Sequence, residues 1–180
     1  VLLPEGLKYI SGFYRTPITN VYFPSTLEEI GPHAFYCCGS LMSEISFPES
    51  LLKIGNLAFF VLAIKGNLVL PHNLESIGNN AFSGCRGLSG SLVIPDKVTV
   101  ISDHSFSESG FTGTLTLPKG LSEIQSHAFY NTKFKGELHI PSSVGKIGDS
   151  AFAYTEFTGT LVLPSELISL GNSAFYRCWR

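Results

Sequence analysis

The sequence predicts a solenoid, a coil of about eight stacked turns of ~23 residues each, rich in strands and with few or no long helices. Two regular spacings carry this prediction. Prolines recur at intervals of 20 to 24 residues, at Pro4, Pro24, Pro48, Pro71, Pro95, Pro118, Pro141 and Pro164. A phenylalanine stands eleven residues after each proline from the second onward, at Phe35, Phe59, Phe82, Phe106, Phe129, Phe152 and Phe175.

Each turn contains recognisable local elements. An alternating segment such as Leu115-Thr116-Leu117 predicts a strand, and the proline that follows cannot continue the strand's hydrogen bonding. Apolar residues three and six positions after the proline, then an Ala-Phe pair, return the chain to the core. A glycine near the end of the turn, as in Phe134 to Gly136, permits a second bend.

A single turn of this length cannot bury its own apolar face, so the turns must stack. We therefore expect one solenoid, forming a single domain that spans residues 1–180. Coil 1, at residues 1–20, is shortened and irregular, and regular coils occupy residues 21–180 with an open or truncated C-terminal end. An open end also leaves room for end-to-end self-association.

Composition excludes several classes of protein. Hydrophobic residues make up 44% of the chain and charged residues only 14%, which is too apolar for a disordered segment. The net charge is -2 and no basic run occurs, so no nucleic-acid partner is expected. The longest apolar stretch, Leu57 to Ile64, is too short to span a bilayer, so we expect no membrane insertion by this segment.

The repeat resembles one known family. The pattern Leu-x-Leu-Pro-x-x-Leu-x-x-Ile-Gly-x-x-Ala-Phe, seen for example from Leu161 to Phe175, is similar to the BspA-like leucine-rich repeat and covers essentially the whole chain. Ser102 and Gln125 depart from it, since they replace the glycine after isoleucine. The resemblance implies a right-handed leucine-rich-repeat superhelix with one parallel sheet. It also implies a bacterial or protozoan protein, extracellular or at the cell surface, that adheres to host proteins or to other cells.

No catalytic, metal or cofactor site stands out. Cys38, Cys85 and Cys178 share one column of the repeat on distant coils, so we expect buried free thiols, with Cys37 as the odd one. Three histidines, His33, His104 and His127, share another column, yet a zinc site needs three or four ligands and the acids nearby are few. No nucleotide-binding or metalloprotease motif occurs. The sequence predicts a protein that is not an enzyme.

The candidate binding residues lie on two surfaces. Residues two and four positions before each proline point outward, and we call this surface the proline face; it should be uncharged, partly apolar and rigid. Its central column is Tyr22, Ser46, Val69, Val93, Thr116, His139 and Val162. The second surface is an aromatic column after the phenylalanines, with Tyr36, Tyr130, Tyr154 and Tyr176 as candidate contacts, although half-buried packing between coils would also explain these rings. Similarly, valine and threonine on the proline face could reflect only their preference for strands.

These observations favour a binding or adhesion module that recognises a protein or glycan on a host or neighbouring cell. A second hypothesis is an architectural spacer without a ligand of its own. A third, an enzyme, would require a site outside the repeat pattern.

Overall fold

A computed structural model describes residues 1–178 and shows a solenoid of about seven full turns built from short parallel strands, with no helix in that range. The predicted fold class is therefore confirmed. Twelve strands of two residues each are present in these turns.

Eight of the strands occupy the same place in the repeat, five and six residues after a proline. They are β1 (Tyr9–Ile10), β2 (Glu29–Ile30), β3 (Lys53–Ile54), β5 (Ser76–Ile77), β8 (Val100–Ile101), β10 (Glu123–Ile124), β11 (Lys146–Ile147) and β12 (Ser169–Leu170). They pair in parallel as two four-stranded sheets, in the orders β1-β2-β3-β5 and β12-β11-β10-β8. Within each sheet the second residue of a strand, isoleucine in all but β12, lies beside the equivalent residue of its neighbour, as Ile30 lies beside Ile54.

The remaining strands form two small sheets. β4 (Gly66–Asn67) pairs with β6 (Leu88–Ser89), and β7 (Leu92–Val93) pairs with β9 (Leu115–Thr116). The expectation of one parallel sheet built from the Leu-x-Leu segments is thus wrong in this detail. Those segments pair only between β7 and β9 and at the isolated bridge from Leu2 to Tyr22.

Glycine explains why the longer sheets form where they do. A Cβ at Gly78 would lie 2.5 Å from the backbone nitrogen of Asn56 in the preceding coil, so neighbouring backbones meet here without any side chain between them. The glycine N–H donates to a carbonyl of the preceding coil, as Gly55 donates to Ile30. Since no side chain separates the coils at this position, the adjoining strands come close enough to pair.

The two large sheets are interrupted where this glycine is replaced. Ser102 stands at the glycine position directly after β8, and its hydroxyl donates to the carbonyl oxygen of Ile77 at 2.6 Å. β5 and β8 do not pair, whereas the backbone N–H of Gln125, the second replacement, still donates to Ile101. Strand pairing is therefore interrupted where Ser102 replaces the glycine, whereas the Cβ of Gln125 is accommodated between paired strands.

One continuous cluster of buried apolar side chains runs from Ile10 to Ala174. At its centre the phenylalanine rings stack from Phe13 to Phe175, and Phe82, Phe106 and Phe129 lie 5.7 and 5.6 Å apart, nearly parallel. A second column, Phe111, Phe134 and Phe157, packs edge-on against the first. Equivalent residues of successive coils therefore lie over one another, as the repeat predicts.

Two residues of each regular coil adopt a left-handed backbone. They lie nine and thirteen positions after the proline, and flank the Ala-Phe pair; Leu57 and Val61 are one such pair, with φ of 57° and 52°. Their N–H groups donate to the next coil, from Leu57 to Asn79 and from Val61 to Ser83. Intercoil hydrogen bonding stabilises a conformation that L residues otherwise disfavour.

Candidate binding face

The proline face is exposed along its whole length. The residues two positions before the prolines, Tyr22, Ser46, Val69, Val93, Thr116, His139 and Val162, are all exposed, as are those four positions before. Val69, Val93 and Val162 are 72%, 60% and 70% exposed, whereas Leu68 and Leu70, on either side of Val69, are buried. The alternation of buried and exposed residues predicted before each proline is confirmed around Val69, Val93 and Thr116, whereas beside Val162 the neighbouring Leu163 is itself 38% exposed.

Strand propensity explains only one of these exposed valines. Val93 lies in β7, but Val69 follows the end of β4, and Val162 lies outside the described strands. β-branched residues are favoured in strands because they pack on a pleated, paired surface. Val69 and Val162 have no such surface around them, so their exposed apolar side chains have no structural explanation of this kind.

Three grooves open between coils on this face. One of about 340 Å³ lies between Ser46 and Val69, and a second of about 600 Å³ lies between Val69 and Val93. Both are lined by Glu49, Asn67 and Val69, so they adjoin each other. A third groove of about 720 Å³ lies between His139 and Val162. The grooves lie where the Leu-x-Leu segments of adjacent coils form no strand pairs.

The grooves carry negative charge, so the expectation of an uncharged face is wrong. Their described lining includes Glu44, Glu49 and Glu137 but no lysine or arginine. The Glu49 carboxylate accepts the backbone N–H of His72 at 3.2 Å, and Glu137 lies 3.4 Å from the exposed ring of His139. Among the described residues, the Glu44 carboxylate has no hydrogen-bond or ion-pair partner and lies against Gly66.

Sequence reasoning missed Glu49 because it follows the proline. A proline turns the chain away from the strand, and the spacing alone does not show that the next side chain still borders the same surface. The only available signal is that this position is polar or charged in every coil, as Glu5, Ser25, Glu49, His72, Asp96, Lys119, Ser142 and Ser165.

The predicted aromatic contacts lie outside these grooves and pack against one another. Tyr36 stacks between Tyr14 and Phe60 at 5.5 and 5.4 Å, with nearly parallel rings. Tyr154 packs edge-on between Tyr130 and Tyr176 at 5.5 and 5.4 Å. Stacking on a sugar needs a free ring face, and neighbouring rings cover both faces of Tyr36. This geometry favours packing between coils over ligand contact, which stays a prediction for these four residues.

The histidine column forms a stacked pair and does not form a cluster of ligands. His104 and His127 lie with ring centroids 4.5 Å apart, and Nδ1 of His127 is buried without a hydrogen-bond partner in the described part of the chain. Burial lowers the pKa of His104, and the neighbouring His127 lowers it further, while Asp103 opposes this shift. Within residues 1–178, no three or more histidine, cysteine or acidic side chains come together as metal ligands.

The four cysteines are free thiols, and their positions match the expectation. Cys38, Cys85 and Cys178 are buried and Cys37 is exposed. The Cys85 thiol donates to the carbonyl oxygen of Phe59 at 3.0 Å, and burial raises the pKa of this thiol to about 12. Ser109 occupies the same column and donates to Phe82 at 2.7 Å. This column therefore links adjacent coils and offers no activated nucleophile.

Comparison with known families decides what kind of repeat this is. The family model for the BspA type leucine rich repeat region matches residues 8–90 and 62–180, with six copies of the repeat. The chain belongs to the BspA-type leucine-rich repeat family. No curated protein matches it.

Solved structures of bacterial leucine-rich repeat proteins share the fold of this BspA-type chain. A protein from Bacteroides ovatus matches with a TM-score of 0.83 and 24% identity, over 98% of this chain and 46% of its own. The leucine-rich repeat protein of T. pallidum matches with a TM-score of 0.63 and 27% identity, over 99% and 75%. A leucine rich cell surface protein from Faecalibacterium prausnitzii matches with a TM-score of 0.54 and 19% identity, over 96% and 65%. This chain thus spans less than half of the Bacteroides ovatus protein.

Residues 1–178 contain no helix with the length and apolar character needed to cross a bilayer.

Proposed function

We propose that this chain is a non-enzymatic binding module, displayed at the cell surface or secreted, that holds a protein ligand on its proline face. The observation that carries the proposal is the exposed Val69, on a segment where strand pairing does not account for it, beside the exposed Val93 of the next coil in the lining of one groove. Adjoining exposed apolar side chains beside a groove mark interaction surfaces, whereas single ones do not.

Rigidity supports the same assignment. In the middle of the proline face the side chains lie between buried neighbours, as Val69 lies between Leu68 and Leu70, Val93 between Leu92 and Ile94, and Thr116 between Leu115 and Leu117. A partner would therefore bind a surface that is already ordered and would lose little conformational entropy there. Repeat proteins present broad surfaces of this kind.

The location at the cell surface rests on family membership. The chain belongs to the BspA-type family, and one solved protein of the same fold is described as a leucine rich cell surface protein. A protein ligand is favoured over a glycan because the exposed valines offer apolar contact, while neighbouring rings cover both faces of Tyr36 in the aromatic column.

The test is a binding screen against a panel of purified host matrix proteins and a glycan array, using the chain and two variants. Changing Val69 and Val93 together to asparagine removes apolar contact on the proline face without adding charge. The control is Val61→Asn, because Val61 is also exposed, at 59%, and lies outside the three grooves.

We expect at least one matrix protein to bind, with an affinity lowered about tenfold by the double change and left unaltered by the control. Both variants must keep the wild-type circular dichroism spectrum. If no binding were detected to the matrix proteins or on the glycan array, the result would contradict the proposal and favour the spacer hypothesis. Binding to glycans alone would contradict the assignment to a protein ligand.

A further inference from the structure

We infer that the ligand of the proline face is a cationic polypeptide segment lying along the solenoid axis, with lysine or arginine at both ends and small apolar residues between. This inference rests on the proposed function, since it names the partner of the same face. It depends on how charge and apolar surface are distributed along that face.

The face is acidic at two places four coils apart, beside Pro48 and before Pro141, which we call its acidic ends. Glu44 and Glu49 border the first groove, on either side of Pro48, and Glu137 borders the third groove. The lining of all three grooves, within the described residues, contains no lysine or arginine to neutralise these carboxylates; its basic side chains are the histidines His72 and His139, the second of which lies beside Glu137. Charged partners of opposite sign are therefore attracted to both ends of the face.

The middle of the face is apolar and close to neutral. Val69, Val93 and Thr116 follow one another along successive coils and are exposed. In the column after the prolines, Asp96 and Lys119 lie on the two adjacent middle coils and offset each other's charge. A ligand charged along its whole length would match the ends but not this middle.

The spacing sets the length of the ligand. Four coils separate Pro48 from Pro141, and adjacent coils lie about 4.8 Å apart, so the acidic ends are about 19 Å apart. An extended chain spans about 3.3 Å per residue, so about six residues connect the two ends. The fitting segment thus has cationic residues separated by about six positions.

The surface beside strands β1, β2 and β3 differs in its charge. The small groove there is lined by Lys8 and Lys53 as well as Glu28 and Glu29, and Lys8 pairs with Glu28 at 2.8 Å. Acidic groups on that surface are therefore partly neutralised by neighbouring lysines. The net charge of the whole chain, only -2, gives no sign of this asymmetry.

The test uses synthetic peptides titrated into the chain and followed by fluorescence anisotropy. The probe is a ten-residue peptide with two lysines at each end and alternating valine and threonine in between. One comparison peptide has glutamate in place of lysine, and another has the four lysines in its centre. We expect the lysine-ended probe to bind at least tenfold more tightly than either comparison peptide.

A matched pair of triple variants locates the binding. Glu44, Glu49 and Glu137 are changed to glutamine in one variant, and Glu29, Glu75 and Glu123 in the other, so that both lose the same charge. Glutamine at position 49 can still accept the N–H of His72. We expect the first variant to bind the probe about tenfold more weakly and the second to bind within twofold of the original chain.

Equal weakening by both triple variants, or equal binding of all three peptides, would overturn the inference. Its failure can be told apart from failure of the proposed function. A matrix protein that loses binding through the valine changes but not through the glutamine changes would leave the proline face as the binding site and refute only its cationic ligand.

Discussion

At the scale of single residues, the stacked phenylalanines contribute most to the core and the proline face contributes little. Phe129 is fully buried between Phe106 and Phe152 at 5.6 and 5.4 Å, and Phe134 packs against its edge. Phe129→Ala should therefore open a cavity and lower the free energy of unfolding by about 3–5 kcal/mol. Thr116→Ala, on the exposed face, should lower it by less than about 1 kcal/mol. Denaturant melts measure both, and equal losses would refute the assignment of inward and outward columns.

The stacked imidazoles at His104 and His127 predict a dependence of stability on pH. Because the folded state lowers the pKa of His104, the unfolded chain binds the proton more readily, and stability falls as the pH drops below the ordinary histidine pKa of about 6.5. Above that pH both states are neutral at this residue and its full contribution is present. Acid should therefore destabilise the chain in part through His104.

His104→Asn tests this effect. Asparagine already occupies the same column as Asn80, with a similar left-handed backbone, so the variant should fold. We expect thermal melts at pH 7.5 and pH 5.5 to differ less for the variant than for the original chain. An equal difference in the two proteins would show that other groups account for the loss in acid.

At the scale of the element, the glycine that follows the core isoleucine in most coils lets neighbouring backbones approach closely enough for strands to pair, although Gln125 is accommodated at the same position. Gly78→Ala would place a Cβ against the backbone of Asn56, and backbone cannot move aside as a side chain can. We expect this change to destabilise the chain by about 2–3 kcal/mol. Gly39→Ala is the control, because nothing lies within 4 Å of the Cβ it would add, and it should change stability by less than about 1 kcal/mol. The midpoints of urea unfolding of the two variants measure these losses. A small effect at Gly78 would show that close backbone approach is not required.

The strands and their pairing were harder to predict from the sequence than the stacking of equivalent residues in successive coils. The regular positions of proline and phenylalanine predict the stack correctly, because a buried ring at a fixed interval has few alternatives to lying over its neighbour. The sheets were misplaced, since the alternation in Leu115-Thr116-Leu117 describes burial and not hydrogen bonding. The left-handed residues left no signal, because leucine and valine occupy such positions at 57 and 61.

For the candidate site, too, the sequence predicted which side chains point outward but not how the surface is assembled around them. The outward column from Tyr22 to Val162 was predicted because alternation with buried leucines shows direction. Its charge was not predicted, since Glu49 reaches the face only through the path that the chain takes after Pro48. The grooves depend on where neighbouring segments fail to pair, which no spacing of residues specifies.

At the scale of the whole molecule, the residues that hold the coils together differ from those that form the proline face. Glycine contacts and the phenylalanine stack hold the coils together, and the proline face is left with exposed valines and unneutralised carboxylates. Because the outward side chains of the proline face are exposed, we expect stability to depend little on them, so that they can vary to suit a ligand. This separation is what makes a stacked repeat suitable for recognition.

Amide hydrogen exchange with the lysine-ended peptide bound tests the central claim most directly, because it reports where on the chain a ligand lies. In the described structure the backbone N–H groups of Ser46, Val69 and His139 form no intercoil hydrogen bonds, so they should exchange quickly in the free chain. We predict that the bound peptide slows exchange at these three residues and leaves Tyr36 and Tyr130 unchanged. Slowing confined to the aromatic column, with the proline face unaffected, would contradict the account.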